Sequence, residues 1–165
     1  MFLLVACIIN GSAQVVDQTM YLDFGESNNA SRGMMTDGAD ANGHHWTNVR
    51  STDGIYIYPG TSFQLVNAQN ESTGYSVYIN VRFTTNGKSG GGGLLSPSAS
   101  LLGDLAIGTA TEDYMFLESW QHHSFVTFKG LNPQKGYRFY YFGSRNTTED
   151  RAGTIEYRGE NVWEG

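Results

Sequence analysis

Two short stretches set imidazoles beside an indole: His44-His45-Trp46, and Trp120-Gln121-His122-His123. Neighbours on a strand point to opposite faces, so neither histidine pair chelates a metal alone, and a zinc-type site needs the two pairs to meet in space. Asp37-Gly38-Ala39-Asp40-Ala41-Asn42-Gly43 offers hard oxygen ligands on a turn, which is the chemistry calcium takes. It does not fit an EF-hand: aligning Asp40, Asn42 and Gly43 to that loop puts Gly38 at the first ligand and Val49 where the bidentate Glu belongs. A structural calcium held by Asp37, Asp40 and Asn42 in a different geometry is therefore the candidate metal site, and no other cofactor is expected.

Three stretches imitate catalytic motifs. Gly87-Lys88-Ser89 has the end of a phosphate-binding loop, but Arg82 stands where that motif needs its first Gly. The Gly90-Gly91-Gly92-Gly93 run that follows cannot start a helix facing phosphate, so a flexible loop and no nucleotide ligand are predicted. Gly103-Asp104-Leu105 is similar to an esterase block, yet Leu105 carries no nucleophilic oxygen and no Gly-x-Ser-x-Gly elbow occurs. Glu112, Asp113 and Glu118 lack the spacing of a glucanase carboxylate array and read as a solvated acidic edge. The chain is thus not expected to be an enzyme. The rival is a hydrolase, either with its catalytic part beyond Gly165 or as a glycosidase or lyase gathering Glu112, Asp113, His122 and Arg145 in one groove.

Aromatic residues beside amides remain. A sugar ring presents CH groups on its face and hydroxyls at its edge, which suits an exposed aromatic plate flanked by amide, carboxylate or imidazole. Trp46, with His45, Asn48 and Asp40 close by, and Tyr56, Tyr58 and Trp120 make up the candidate ligand-binding set. The competing expectation for each ring is that it fills the core or locks a strand end.

These residues need elements to hold them, and the pattern is that of strands. Tyr75, Val77, Ile79, Val81 and Phe83 share one face of a predicted strand, with Ser76, Tyr78, Asn80 and Arg82 on the other. The same alternation runs through 20–24, 124–128 and 154–157, with Gly, Asn and Ser clusters between. One helical turn is expected within 96–102. The 165 residues suit one domain over 14–165, an all-β antiparallel sandwich with little helix, immunoglobulin or fibronectin III-like or a jelly roll. Ten Lys and Arg against sixteen Asp and Glu, a net charge of -6, argue against nucleic acid as a partner. The apolar run at 1–9 followed by Asn10-Gly11-Ser12-Ala13 predicts a signal peptide over 1–13 and a secreted or cell-surface protein. The alternatives are a genuine first strand, or lipidation at Cys7, the single cysteine.

Leu131-x-Pro133-x-x-x-Tyr137 resembles the tyrosine corner of fibronectin type III and other immunoglobulin-like sandwiches. That resemblance implies that Leu131 plugs the end of the sandwich, Pro133 fixes the turn, the Tyr137 hydroxyl bonds nearby backbone, and all three are buried. Over a longer span, 21–25, 46–48, 73–75, 130–133 and 142–145 resemble an accessory β-sandwich domain of secreted bacterial proteins, often found beside polysaccharide-degrading or esterase domains. The resemblance implies a carbohydrate-binding or spacer role, polysaccharide and neighbouring domains as partners, and further strands after 154–157, so that this chain reads as truncated at its C-terminus. A third reading is a structural or adhesive protein assembling through strand edges.

Overall fold

The computed structural model describes residues 4–10, 18–88, 91–118, 120–121, 124–143, 148, 156 and 158–159. In chain order the strands are β1 (Leu4–Asn10), β2 (Met20–Gly25), β3 (Trp46–Arg50), β4 (Tyr56–Ile57), β5 (Ser62–Val66), β6 (Ser72–Ile79), β7 (Phe83–Gly87), β8 (Asp113–Phe116), β9 (Val126–Lys129) and β10 (Gly136–Phe142). Helix is confined to α1 (Ala99–Leu102), a 3-10 turn at Gly103–Leu105 and α2 (Gly108–Thr111). The protein is all-β, as its alternation predicts. The expected helical turn is present, and the strand predicted at 154–157 falls, apart from Glu156, outside the described residues.

Three sheets form, in the orders β10-β1-β2-β3, β4-β7-β8 and β5-β6-β9. Every pairing is antiparallel except β2 with β3, which run parallel. β1 joins the first sheet on both sides, pairing with β10 along seven residues and with β2 along three. β1 lies within the run 1–13 that reads as a signal peptide, and in the structure it pairs as a strand.

β2 shows why the molecule has two apolar regions. All six of its residues are buried, because both of its faces are covered. Met20, Leu22 and Phe24 point into a core shared with Val49, Ile57, Leu65, Val77, Ile79, Phe83 and Met115, drawn from all three sheets. Tyr21 points the other way and packs with Trp46, Ala68, Ile107 and Ala110. The parallel register sets Tyr21 against Trp46 and Asp23 against Asn48, so this outer face carries polar as well as apolar groups beneath α2 and its flanking turns.

The strand predicted to run from Tyr75 to Phe83 is broken. β6 stops at Ile79 and pairs with β5 and β9, whereas β7 restarts at Phe83 and pairs with β4 and β8. Residues 80–82 carry the chain from one sheet to another, and Asn80 is held at the crossing by the Thr127 hydroxyl, which donates to its Oδ1 at 2.7 Å. The periodicity survives the break, since Val77, Ile79 and Phe83 all reach the core.

The corner at 131–137 forms. The Asn132 amide donates to Tyr137 Oη at 2.6 Å, and the Tyr137 hydroxyl donates to Asn132 O at 3.3 Å. Burial is looser than the resemblance implies: Leu131 and Tyr137 are half-buried and Pro133 is exposed. Pro133 sits in the turn itself, where its ring restrains the backbone without needing cover. Among the described residues no helix is long and apolar enough to cross a membrane.

Candidate functional site

The crossing at 80–82 places Arg82 at one end of the β4-β7-β8 sheet. Ile57 pairs with Phe83 and Thr84 with Phe116, so Tyr58, one step beyond the first pair, and Glu118, two steps beyond the second, fall at the level of Arg82. The Arg82 guanidinium carbon lies 4.4 Å from the centroid of the Tyr56 ring and 5.4 Å from that of Trp120. Both distances fall within the range over which a cation is attracted to the negative face of a ring. Trp120 is 63% exposed and Tyr58 41% exposed, so the clamp opens on solvent.

Local hydrogen bonds fix the plates. Asp53 Oδ1 accepts from the amides of Ile55 at 2.9 Å and Tyr56 at 2.7 Å, an Asx turn that sets the entry to β4. Asp53 Oδ2 accepts the Tyr58 hydroxyl at 2.7 Å, and the Tyr56 and Tyr58 rings meet edge to face at 5.8 Å. The Tyr56 amide and then the Tyr58 hydroxyl hold the Asp53 carboxyl below its ordinary value, and the same bond raises Tyr58. On the far side Gln121 donates from Nε2 to Arg82 O at 2.9 Å and accepts the Glu118 amide at 3.0 Å, tying the Trp120 turn to the crossing. Glu118 Oε1 accepts the Thr84 hydroxyl at 2.9 Å.

The seven predicted ligand-binding residues divide between two places. Tyr56, Tyr58 and Trp120 meet at the clamp. Trp46 and Asn48 lie on the outer face of β3, with Asp40 and His45 in the segment before it, and there Trp46 is only 5% exposed. Its indole donates to Asp40 Oδ2 at 2.7 Å, while Asp40 Oδ1 accepts the amides of Asn42 at 2.8 Å and His44 at 2.9 Å. Burial raises the Asp40 carboxyl, but the Trp46 indole and these amides outweigh it and hold the group below its usual range. Asn48 is occupied by Thr36, accepting its amide at 2.8 Å and donating to its carbonyl at 3.1 Å. Of the polar neighbours that mark Trp46 in the sequence, Asp40 is the one that bonds its buried indole. Arg82, expected only on the solvent face of a strand, is the residue that joins Tyr56 and Trp120.

Asp37 Oδ2 accepts Asn28 Nδ2 at 3.4 Å and both Asp40 oxygens are occupied by protein donors. Among the described residues no group of three His, Cys, Asp or Glu side chains is arranged to hold a metal ion. An open pocket of about 520 Å³ lies beside them, lined by Met34, Met35, Asp37, Ala39, Ile107 and Thr109 among others. His44 stacks on Tyr21 at 4.8 Å. His122, His123 and Arg145 lie outside the described residues, so the groove of the hydrolase reading is not described.

The carboxylates expected at a solvated edge are not at one. Asp113 is 5% exposed, seated against Gly25, Gly33 and Gly87, where a Cβ on Gly25 or Gly33 would overlap its carboxylate. Its Oδ2 accepts the Glu26 amide at 2.8 Å, and its Oδ1 is buried without a partner, as is Asp23 Oδ1. Burial, and then the Asp23 and Glu26 charges, raise Asp113; burial also raises Asp23, against the hydrogen bonds it accepts from Thr36. Glu26, itself buried, pairs with Arg32 at 2.7 Å, and Glu112 pairs with Lys88 at 3.1 Å. Compared with protein-family models, with curated proteins and with solved structures, the chain matches none.

Proposed function

We propose that this protein is a non-catalytic glycan-binding module of a secreted, extracellular protein, accessory to neighbouring domains, and that its contact surface is the Trp120, Tyr56 and Tyr58 cluster. The observation that carries the reading is an indole 63% exposed beside two tyrosines already fixed by Asp53. An aromatic plate held rigid before the ligand arrives loses little conformational entropy on binding, and the CH face of a pyranose covers it well. The bacterial accessory β-sandwich resemblance, and a β-rich chain whose low basic content disfavours nucleic acid, support the same reading.

Affinity electrophoresis through gels carrying a panel of plant and algal polysaccharides tests it. The wild-type chain should be retarded by one or more polymers, and Trp120→Ala should weaken that binding by about 1–3 kcal/mol. Trp46→Ala removes a buried ring, so its effect should appear in the unfolding midpoint before it appears in affinity. Free migration of the wild type through every gel would end the glycan-binding reading.

A further inference from the structure

Arg82 lies over two aromatic rings and, among the described residues, has no carboxylate within ion-pair distance. Among the described residues the ion pairs join Arg32 to Glu26, His44 to Asp40, Lys88 to Glu112 and Arg158 to Glu156, and none involves Arg82. The two acids at its end of the sheet are already occupied, Asp53 by Tyr58 and two amides, and Glu118 by Thr84 and not by the guanidinium. Arg50 and Arg138 also lack a carboxylate among the described residues, but both are exposed to solvent, whereas Arg82 is half-buried, and a half-buried guanidinium without a carboxylate suits an external anionic partner. Arg82 Nε is buried and has no acceptor, so the side-on approach through Nε is closed. What remains is end-on approach to the two terminal nitrogens, the geometry in which a guanidinium takes both oxygens of a planar carboxylate.

We infer that the clamp binds a hexuronic acid: the Trp120 and Tyr58 rings take the CH face of the sugar while Arg82 holds its ring carboxylate through paired hydrogen bonds. This rests on the glycan-binding reading and names the class of sugar. Lysine at position 82 would keep the charge but not the planar fork, and it would not stack flat between the rings. A sulfate ester offers the same charge with tetrahedral oxygens, and it is separated from a carboxylate by experiment.

Binding is measured by affinity electrophoresis and calorimetry to polygalacturonate, alginate and glucuronoxylan, to the same polymers after chemical reduction of their carboxyl groups, to dextran sulfate, and to neutral β-glucan. The wild type should bind at least one uronate polymer about tenfold to a hundredfold more tightly than its carboxyl-reduced form. Arg82→Gln should remove that preference and Arg82→Lys should lose most of it, while both variants keep the wild-type unfolding midpoint to within a few degrees. Comparing the wild type on native and reduced polymer needs no variant, so a misfolded substitution does not blunt the test. Equal binding to native and reduced polymers, or preference for dextran sulfate over every uronate, overturns the inference. Retention on neutral glucan that Trp120→Ala abolishes and Arg82→Gln leaves unchanged overturns the uronate assignment but keeps the aromatic surface. No retention on any polymer overturns both.

Discussion

Asp113 and Trp46 illustrate what single residues reveal and conceal. Trp46 is recognisable as a special indole because amide, imidazole and carboxylate surround it in sequence, but those groups serve equally to bind a ligand or to satisfy a buried N–H. The indole bond to Asp40 shows which applies. Asp113 looks solvated because acids usually are, and the glycines that make room for it, Gly25, Gly33 and Gly87, all lie far from it in sequence. Its burial has a consequence for stability. An aspartate in the unfolded chain releases its proton near pH 3.9, with the exact value set by sequence context, so about 4 marks the lower limit. In the fold Asp23 holds its proton to about 7 and Asp113 to about 9, with burial the largest cause for each. Between those limits the native chain binds more protons than the unfolded chain, so the contribution is fully present below about pH 4 and is lost as pH rises through the folded values. The urea midpoint should therefore be higher at pH 5 than at pH 8. Asp113→Asn keeps an acceptor for the Glu26 amide and has no proton to release, so its midpoint should vary less with pH over that range. Parallel slopes in the two proteins would exclude Asp113 as the source.

At the scale of elements, period-two alternation was legible in Ser72–Ile79, whose Val77 and Ile79 reach the core, and in Met20–Gly25, where it separates two covered faces. It did not reveal the crossing at 80–82, because Val77, Ile79 and Phe83 keep their inward phase while their hydrogen-bond partners change from β9 to β8. The turn at 131–137 was legible because its hydroxyl bond is local, with Tyr137 only five positions after Asn132. The N-terminal run was ambiguous, since a short apolar segment suits an export signal and an inner strand alike. β1 covers the full length of β10 and part of β2. A chain begun at Gln14 would leave those edges open, and unpaired strand edges recruit other strands. Such a chain should show concentration-dependent self-association by light scattering, whereas the chain that keeps β1 should not. Monodisperse behaviour with an unchanged thermal transition would mean that β1 adds nothing to the sheet.

For the whole molecule, the net charge of -6 sets the far field and Arg82 sets the near one. A polyuronate approaching this protein meets overall repulsion before it meets the guanidinium. The Debye length falls from about 30 Å at 0.01 M salt to about 8 Å at 0.15 M, so moderate salt screens the repulsion first and leaves a contact pair between rings less affected. A basic protein that holds polyanions by counterion release loses affinity steadily as salt rises. Here the two opposing ranges predict a different curve: retention on a uronate polymer should hold or increase between 0.01 and 0.15 M salt and decline only toward 1 M, where even a 3 Å screening length reaches the pair. The measurement is the dissociation constant against salt for the wild type and for Arg82→Gln, whose curve should lack the high-salt decline because the pair is gone. A monotonic loss from the lowest salt in the wild type would place a diffuse basic patch, and not the clamp, at the centre of binding.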